Sequence, residues 1–387
     1  MTTQQEKATA HTAQATHTKA PLDAVTQAKR PRFTRAQLLA GIIALLCLIV
    51  GIPSWVIQMT TVQFGEGLVT WGLNIDLFFL SAGIGSSLLA VTGLSLFGVL
   101  PGVYAQRKFL SIISFACLFV ASWIVFVDAG TPLRVFSIIF SPQFNSLFVW
   151  DFYFIALAAL ISLIILFKRE PKRALGCLGI VFGLAVTITE GCVLAVSVGT
   201  PHWSLNIGIP ILFVLEGMIA ALALILLISR VPQEEKRLVN ALLALLAAAL
   251  VVNAVDVLVG AYLGSGIEAT TIAVMVVGGL APLFWGQILL GLLVPLILLA
   301  IRRTRVSISC AAVLAIVGVF LGKLMTLLSG QAVLADGTLS TYMPSLLELG
   351  ACVGYVGFVL LIVLVGMQIV AHRAAQNESV LVSEELA

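Results

Sequence analysis

Ten apolar stretches, each close to the length needed to cross a bilayer, constrain this chain more than any other feature. They run at about 36–58, 74–98, 109–127, 148–167, 174–198, 208–229, 239–263, 272–300, 306–328 and 346–371. A helix needs about 20 residues to cross the hydrocarbon core. Inside lipid, only a helix satisfies all its backbone groups within one segment. Composition closes off the soluble alternatives. Hydrophobic residues make up 60% of the 387 and charged residues 10%, against about 25% charged in an ordinary soluble domain. Mean hydropathy is +1.12. Too little polar surface remains to cover a water-soluble fold. The chain therefore reads as an all-α integral membrane protein of about ten transmembrane helices. A cytosolic enzyme, a secreted disulfide scaffold and a nucleic-acid-binding domain are excluded.

The basic residues sort the loops into two sets. Nineteen of the 21 lysines and arginines fall in the tail, in every second loop and after the last span. Arg134 alone lies in the other loops, and Lys323 lies inside a span. The positive-inside rule then predicts that both termini are cytoplasmic. Residues 1–35, rich in Ala, Thr, Gln and Lys, read as a disordered polar cytoplasmic tail. Residues 36–371 read as the ten-helix membrane domain, and residues 372–387 as a cytoplasmic C-terminal tail. The first apolar run is too long for a signal-peptide core and reads as a retained span.

Charges inside the spans are few, and all fall toward one side. They are Asp76, Asp151, Glu190, Glu216, Asp256, Glu348 and Lys323. A charged side chain at a helix centre costs about 2.5–3.5 kcal/mol on insertion scales. The predicted topology places every one in the outer half of its helix. Glu348 and Asp151 read as acids near the headgroups that hold helix ends. Glu190, Glu216, Asp256 and Lys323 lie deeper, and Lys323 is expected to pair with one of the acids, since an unpaired buried charge is expensive. An acid-lined cavity open to the outer face accounts for the set. Asn74 and Asp76 read as contacts to a ligand in it, with an interfacial helix start as the plainer alternative. His202, between Pro201 and Trp203, reads as a solvated loop histidine or a proton shuttle. Trp71, Trp150 and Trp203 read as an aromatic belt.

Resident metal is not expected. The six cysteines, Cys47, Cys117, Cys177, Cys192, Cys310 and Cys352, include no C-x-x-C pair. They read as small core residues rather than ligands of a zinc ion or an iron–sulfur cluster. The four histidines, His11, His17, His202 and His372, lie in the tails or a loop, so no pair is placed to hold haem at membrane depth.

The motifs then point to a family. Trp71-Gly72-Leu73-Asn74-Ile75 with Phe79-Leu80-Ser81-Ala82-Gly83-Ile84-Gly85 resembles the W-G-x-x-I…F-L-x-x-G pattern of the NrfD/PsrC family, the membrane subunits of polysulfide-reductase-like complexes. Asp128-Ala129-Gly130-Thr131-Pro132-Leu133-Arg134 resembles that family's D-L-G-R-P-x-R loop, with Thr131 where the family usually has Arg. Glu190-Gly191, Pro201-His202-Trp203 and Pro210-Ile211-Leu212-Phe213 resemble the next helix pair. Leu328-Ser329-Gly330-Gln331 and Tyr342 to Glu348 resemble the ten-helix branch that includes HybB-like hydrogenase subunits.

The resemblance implies two four-helix bundles plus extra helices, in a bacterial or archaeal inner membrane. It implies a chain without haem or iron–sulfur cluster that binds menaquinone or ubiquinone near the outer face. Electrons would pass to or from a ferredoxin-like iron–sulfur subunit, and through it a catalytic subunit, molybdopterin-type or other. Asn74, Asp76, Glu190, Glu216, Asp256 and His202 would then contact quinone or relay its protons. Asp128 and Arg134 would face the partner or close the pocket, and Lys323 would belong to a buried charge pair. Two other classes stay open on sequence alone. One is a secondary transporter, favoured by the Gly and Pro residues that interrupt the eighth run. The other is a membrane anchor without a redox role. The terminal substrate and the direction of electron flow are not readable from these residues.

Overall fold

A computed structural model describes residues 33–60, 71–129, 132–197, 200, 202–229, 231–232, 234–264, 266–334 and 336–385. Ten described helices are long and apolar enough to span a membrane. They are α1 (Arg35–Thr60), α2 (Leu73–Ser95), α3 (Arg107–Asp128), α4 (Leu147–Phe167), α5 (Arg173–Ala195), α6 (Gly208–Ile228), α7 (Glu235–Tyr262), α8 (Ala281–Ile301), α9 (Arg305–Ala332) and α10 (Leu346–Glu385). The described residues hold no strand, only one isolated antiparallel bridge between Val333 and Leu339. The chain is a multi-pass membrane protein.

Local chemistry sets the helix starts. Thr34 and Gln37 form a reciprocal capping box ahead of α1, with Thr34 N donating to Gln37 Oε1 at 2.9 Å and Gln37 N to Thr34 Oγ1 at 3.2 Å. Ser345 and Glu348 do the same for α10, at 2.8 and 3.1 Å. Each box satisfies two amide donors that a helix N-terminus would otherwise leave unpaired. Glu348 thus holds a helix end, as its position suggested.

The eighth apolar run departs from the expected single span over 272–300. It divides into a short helix, Gly266–Val276, and α8, with a turn between them. Gly278, Gly279 and Pro282 are the cause, since glycine weakens a helix and proline cannot continue one from upstream. Trp285 Nε1 donates to Val276 O at 2.9 Å and clips the turn shut. Within α8, residues Gly286–Leu293 widen into a π-helix just before Pro295. The wider ring spares the proline its clash with the preceding turn and its missing hydrogen bond. The expected C-terminal tail at 372–387 is also different: α10 continues as helix to Glu385. The expected N-terminal tail lies outside the described residues as far as residue 32.

Packing divides the helices into two rings and a pair. Helices α2, α3, α4 and α5 close one four-helix bundle, and α6, α7, α8 and α9 close a second. The bundles meet where α6 packs on α2 and α5, and α9 on α2. Helix α2 is the most deeply buried span. Helices α1 and α10 pair with each other and lie against α3. Arg107 Nη2 donates to Arg169 O, and Arg305 Nη1 to Leu226 O, which gathers the basic loops at one end, the basic end. The start of α2 and the ends of α3 and α5 gather at the opposite, distal end.

Side chains knit the distal end together. Trp71 N donates to Gln331 Oε1 at 3.1 Å, and Gln331 Nε2 donates back to Trp71 O at 2.9 Å. Tyr342 OH accepts from Leu73 N at 2.7 Å and donates to Glu348 Oε1 at 2.8 Å. Burial pushes the Tyr342 phenol well above its ordinary range, so it stays a neutral donor. Trp203 contradicts its expected place in the aromatic belt: it is buried, stacks on Trp71 at 5.7 Å and donates from Nε1 to Thr326 O at 2.8 Å. Trp150 is 39% exposed and fits the belt.

Candidate functional site

A buried charge cluster occupies the seam between the two bundles. Lys323 on α9, 1% exposed, lies 3.9 Å from Glu216 Oε2 on α6. Its ammonium sits 3.6 Å from the centre of the Phe213 ring, a cation–π contact in a dry setting. Asp76 on α2 and Glu190 on α5 are fully buried and lie within electrostatic reach of Lys323. Both carboxylates are without a hydrogen-bond partner among the described residues. Gln287, on the π-helical part of α8, donates to Glu216 Oε1 at 3.4 Å and to Asn253 Oδ1 at 3.5 Å. The π-bulge thus falls where α8 must turn a polar side chain inward.

Small residues make the seam possible. A Cβ on Gly83 of α2 would stand 3.6 Å from Lys323 Cε and 3.8 Å from Gly217 Cα. A larger side chain there would meet the lysine stem. Gly217 has no slack: a Cβ would stand 2.6 Å from Ser87 Oγ and 3.2 Å from Gly83 O. Gly83 and Gly217 let α2, α6 and α9 approach closely here, as small residues commonly do between membrane helices.

A cavity of about 340 Å³ opens beside this cluster at the distal end of the first bundle. Trp71, Phe78, Phe79, Phe148 and Phe152 wall it, and Asp128 and Asp151 are its carboxylates. Asp151, expected near the headgroups, is instead 6% exposed, and its Oδ1 accepts no hydrogen bond from a described residue. Asp128 Oδ1 accepts from Asn74 Nδ2 at 3.1 Å, and the same nitrogen reaches Gln58 Oε1 at 3.1 Å. Asn74 therefore ties α1, α2 and α3 together beside the cavity. Two features link cavity and cluster. Phe79 lines the cavity and lies 6.0 Å from Lys323 Nζ, and Asp151 is within electrostatic reach of Glu190.

The acids named from sequence do not all converge. Asp76, Glu190 and Glu216 meet around Lys323. Asp256 does not: it lies 3.8 Å from His202 Nε2 and accepts from Asn206 Nδ2 at 2.7 Å, fastening the loop before α6 to α7. His202 is 4% exposed, not a solvated loop histidine. The Arg134 side chain lies outside the described residues. Three residues escaped the sequence reading: Gln58, Asn253 and Gln287. Neutral amides in apolar runs give little signal, although the Gly and Pro residues around Gln287 marked α8 as irregular. Among the described residues, no group of three or more His, Cys, Asp or Glu is placed to hold a metal ion.

A relative from Halobacterium salinarum, described as a putative dimethyl sulfoxide reductase membrane subunit, is 26% identical over an alignment covering 87% of this chain and 92% of that protein. The family model described as polysulphide reductase, NrfD, matches residues 61–335, the stretch that holds both bundles, the charge cluster and the cavity. With most of its length matched, the chain belongs to the NrfD polysulphide reductase family.

Proposed function

We propose that this chain is the quinone-exchanging membrane subunit of a multi-subunit oxidoreductase. Menaquinol or ubiquinol binds in the cavity between α2, α3 and α4. The observation that carries this reading is the cavity itself: aromatic walls suited to a flat ring, and a buried Asp151 oxygen free to accept a hydroxyl proton. That oxygen and those walls fit a quinol headgroup, as sites for apolar ligands with a few polar groups generally do.

Oxidising a quinol releases two electrons and two protons. Asp151 and Asp128 are the first acceptors within the cavity. Glu190 and the acids around Lys323 form the next stage, with Lys323 holding their negative charge in place. Asn74 positions Asp128. His202 and Asp256 fasten the α6 loop and stand outside this relay. Electrons pass to a ferredoxin-like iron–sulfur subunit at the distal face, and from it to a catalytic subunit, molybdopterin-type or other. The relative's description as part of a dimethyl sulfoxide reductase favours quinol oxidation coupled to reduction of such a substrate. The same reading puts the chain in a bacterial or archaeal cell membrane, with both termini cytoplasmic and the cavity on the outer side.

The test is Asp151→Asn in the complex assembled with its partner subunits. The isostere keeps the volume, and loss of a positioned proton acceptor costs roughly 10²–10⁴-fold in rate. Quinol-linked electron transfer should fall by that order while partner subunits still co-purify. Full quinol turnover in this variant would remove the cavity from the mechanism.

A further inference from the structure

A second site lies at the opposite end of the molecule, independent of the quinone reading. Lys108 at the start of α3, Arg169 after α4 and Arg373 on α10 line one pocket of about 480 Å³. All three side chains are exposed, and among the described residues no carboxylate lines the pocket or is ion-paired with any of the three. The Arg373 guanidinium is steadied over the Phe167 ring, 4.3 Å from its centre.

An apolar groove of about 740 Å³ runs between α1 and α10 and meets this pocket at Arg373 and Gln376. Leu38, Ile42, Leu45, Leu361 and Val365 are among its walls. Three cations converging beside a hydrocarbon-lined channel match one kind of molecule: a negatively charged headgroup with long acyl chains. Basic pockets between membrane helices bind anionic headgroups in this way. Residues 1–32 are a poor alternative occupant. They carry Lys7, Lys19, Lys29, Arg30 and Arg32 and little apolar sequence, so they would be repelled by the pocket and would leave the groove unfilled.

We propose that this chain binds an anionic phospholipid at the basic end, its phosphate held by Lys108, Arg169 and Arg373 and one acyl chain lying between α1 and α10. The lipid acts as a wedge that fixes the peripheral α1–α10 pair against α3 and α4.

The full-length chain, purified in mild detergent, is titrated with phosphatidylglycerol and with phosphatidylcholine of the same acyl chains and read by native mass spectrometry. One phosphatidylglycerol should be retained in preference to phosphatidylcholine. A cation near an anionic surface contributes about fivefold in affinity, so K108Q/R169Q/R373Q should lose on the order of 100-fold for phosphatidylglycerol and little for phosphatidylcholine. Gly41→Trp fills the groove, where a Cβ meets only Leu364 Cδ1 at 3.9 Å, and should weaken both lipids. Inorganic phosphate and glycerol 3-phosphate should not compete at millimolar concentration, because they lack the acyl chain. Equal retention of the two lipids by the native chain would overturn the proposal. So would undiminished phosphatidylglycerol binding by the triple variant, or full displacement by free phosphate.

Discussion

Lys323 offers the sharpest test of the buried seam. At 3.9 Å from Glu216, a unit charge pair in an effective dielectric of about 20 is worth about 4 kcal/mol. The Phe213 ring at 3.6 Å adds about 2 kcal/mol in a desolvated setting. Desolvation of both ions opposes these gains, so the pair itself is a weak net stabiliser. Removing only one partner is another matter, because it strands the other charge: that costs roughly 3–5 kcal/mol. Lys323→Met preserves the volume and leaves Glu216, Asp76 and Glu190 without their cation. The expected loss is a large share of a typical folding free energy of about 5–15 kcal/mol. The assay is unfolding in mixed micelles of detergent and SDS, followed by size exclusion of a fluorescent fusion. Lys323→Met should shift the midpoint strongly downward, and the double variant E216Q/K323M should recover part of the loss, because the carboxylate nearest the lysine is no longer stranded. A single variant as stable as the parent, or a double variant no better than the single, would refute the pairing argument.

Three further outcomes are expected. Gly318→Leu should abolish accumulation of the protein in membranes on an immunoblot, because Gly318 of α9 lies directly against Gly291 of α8 and a side chain would strike its backbone; wild-type levels would mean that the two helices are not this close. Tyr342→Phe removes the acceptor of Leu73 N and a donor to Glu348 and should cost about 1–3 kcal/mol, read as a lower melting temperature and faster proteolysis of the loop before α10. Reporter fusions after residues 105, 170, 234, 304 and 375 should all report cytoplasm, given the partition of basic residues; an outer signal at 304 would reverse the assignment of the last three spans.

Much of this molecule was written locally. A bilayer penalises every unpaired backbone group, so ten apolar runs of the right length mean ten helices whatever surrounds them. Thr34 with Gln37, and Ser345 with Glu348, set helix starts within four residues. The need of Lys323 for a carboxylate also follows from the energy of a lone charge in hydrocarbon. None of these depends on the arrangement of distant helices. Which carboxylate answers Lys323 does depend on it. Glu216 and Asp256 lie on neighbouring helices, yet packing turns Glu216 into the seam while Asp256 meets His202 and Asn206 beside the start of α6. Asp151 looked like a headgroup acid until α2, α3 and α4 closed a cavity around it. Trp203 was a belt residue by position and became a buried donor to the Thr326 carbonyl by packing. In a membrane the solvent dictates each span from its own composition, but the rotation and pairing of spans are decided by side chains hundreds of residues apart, and the site is made there.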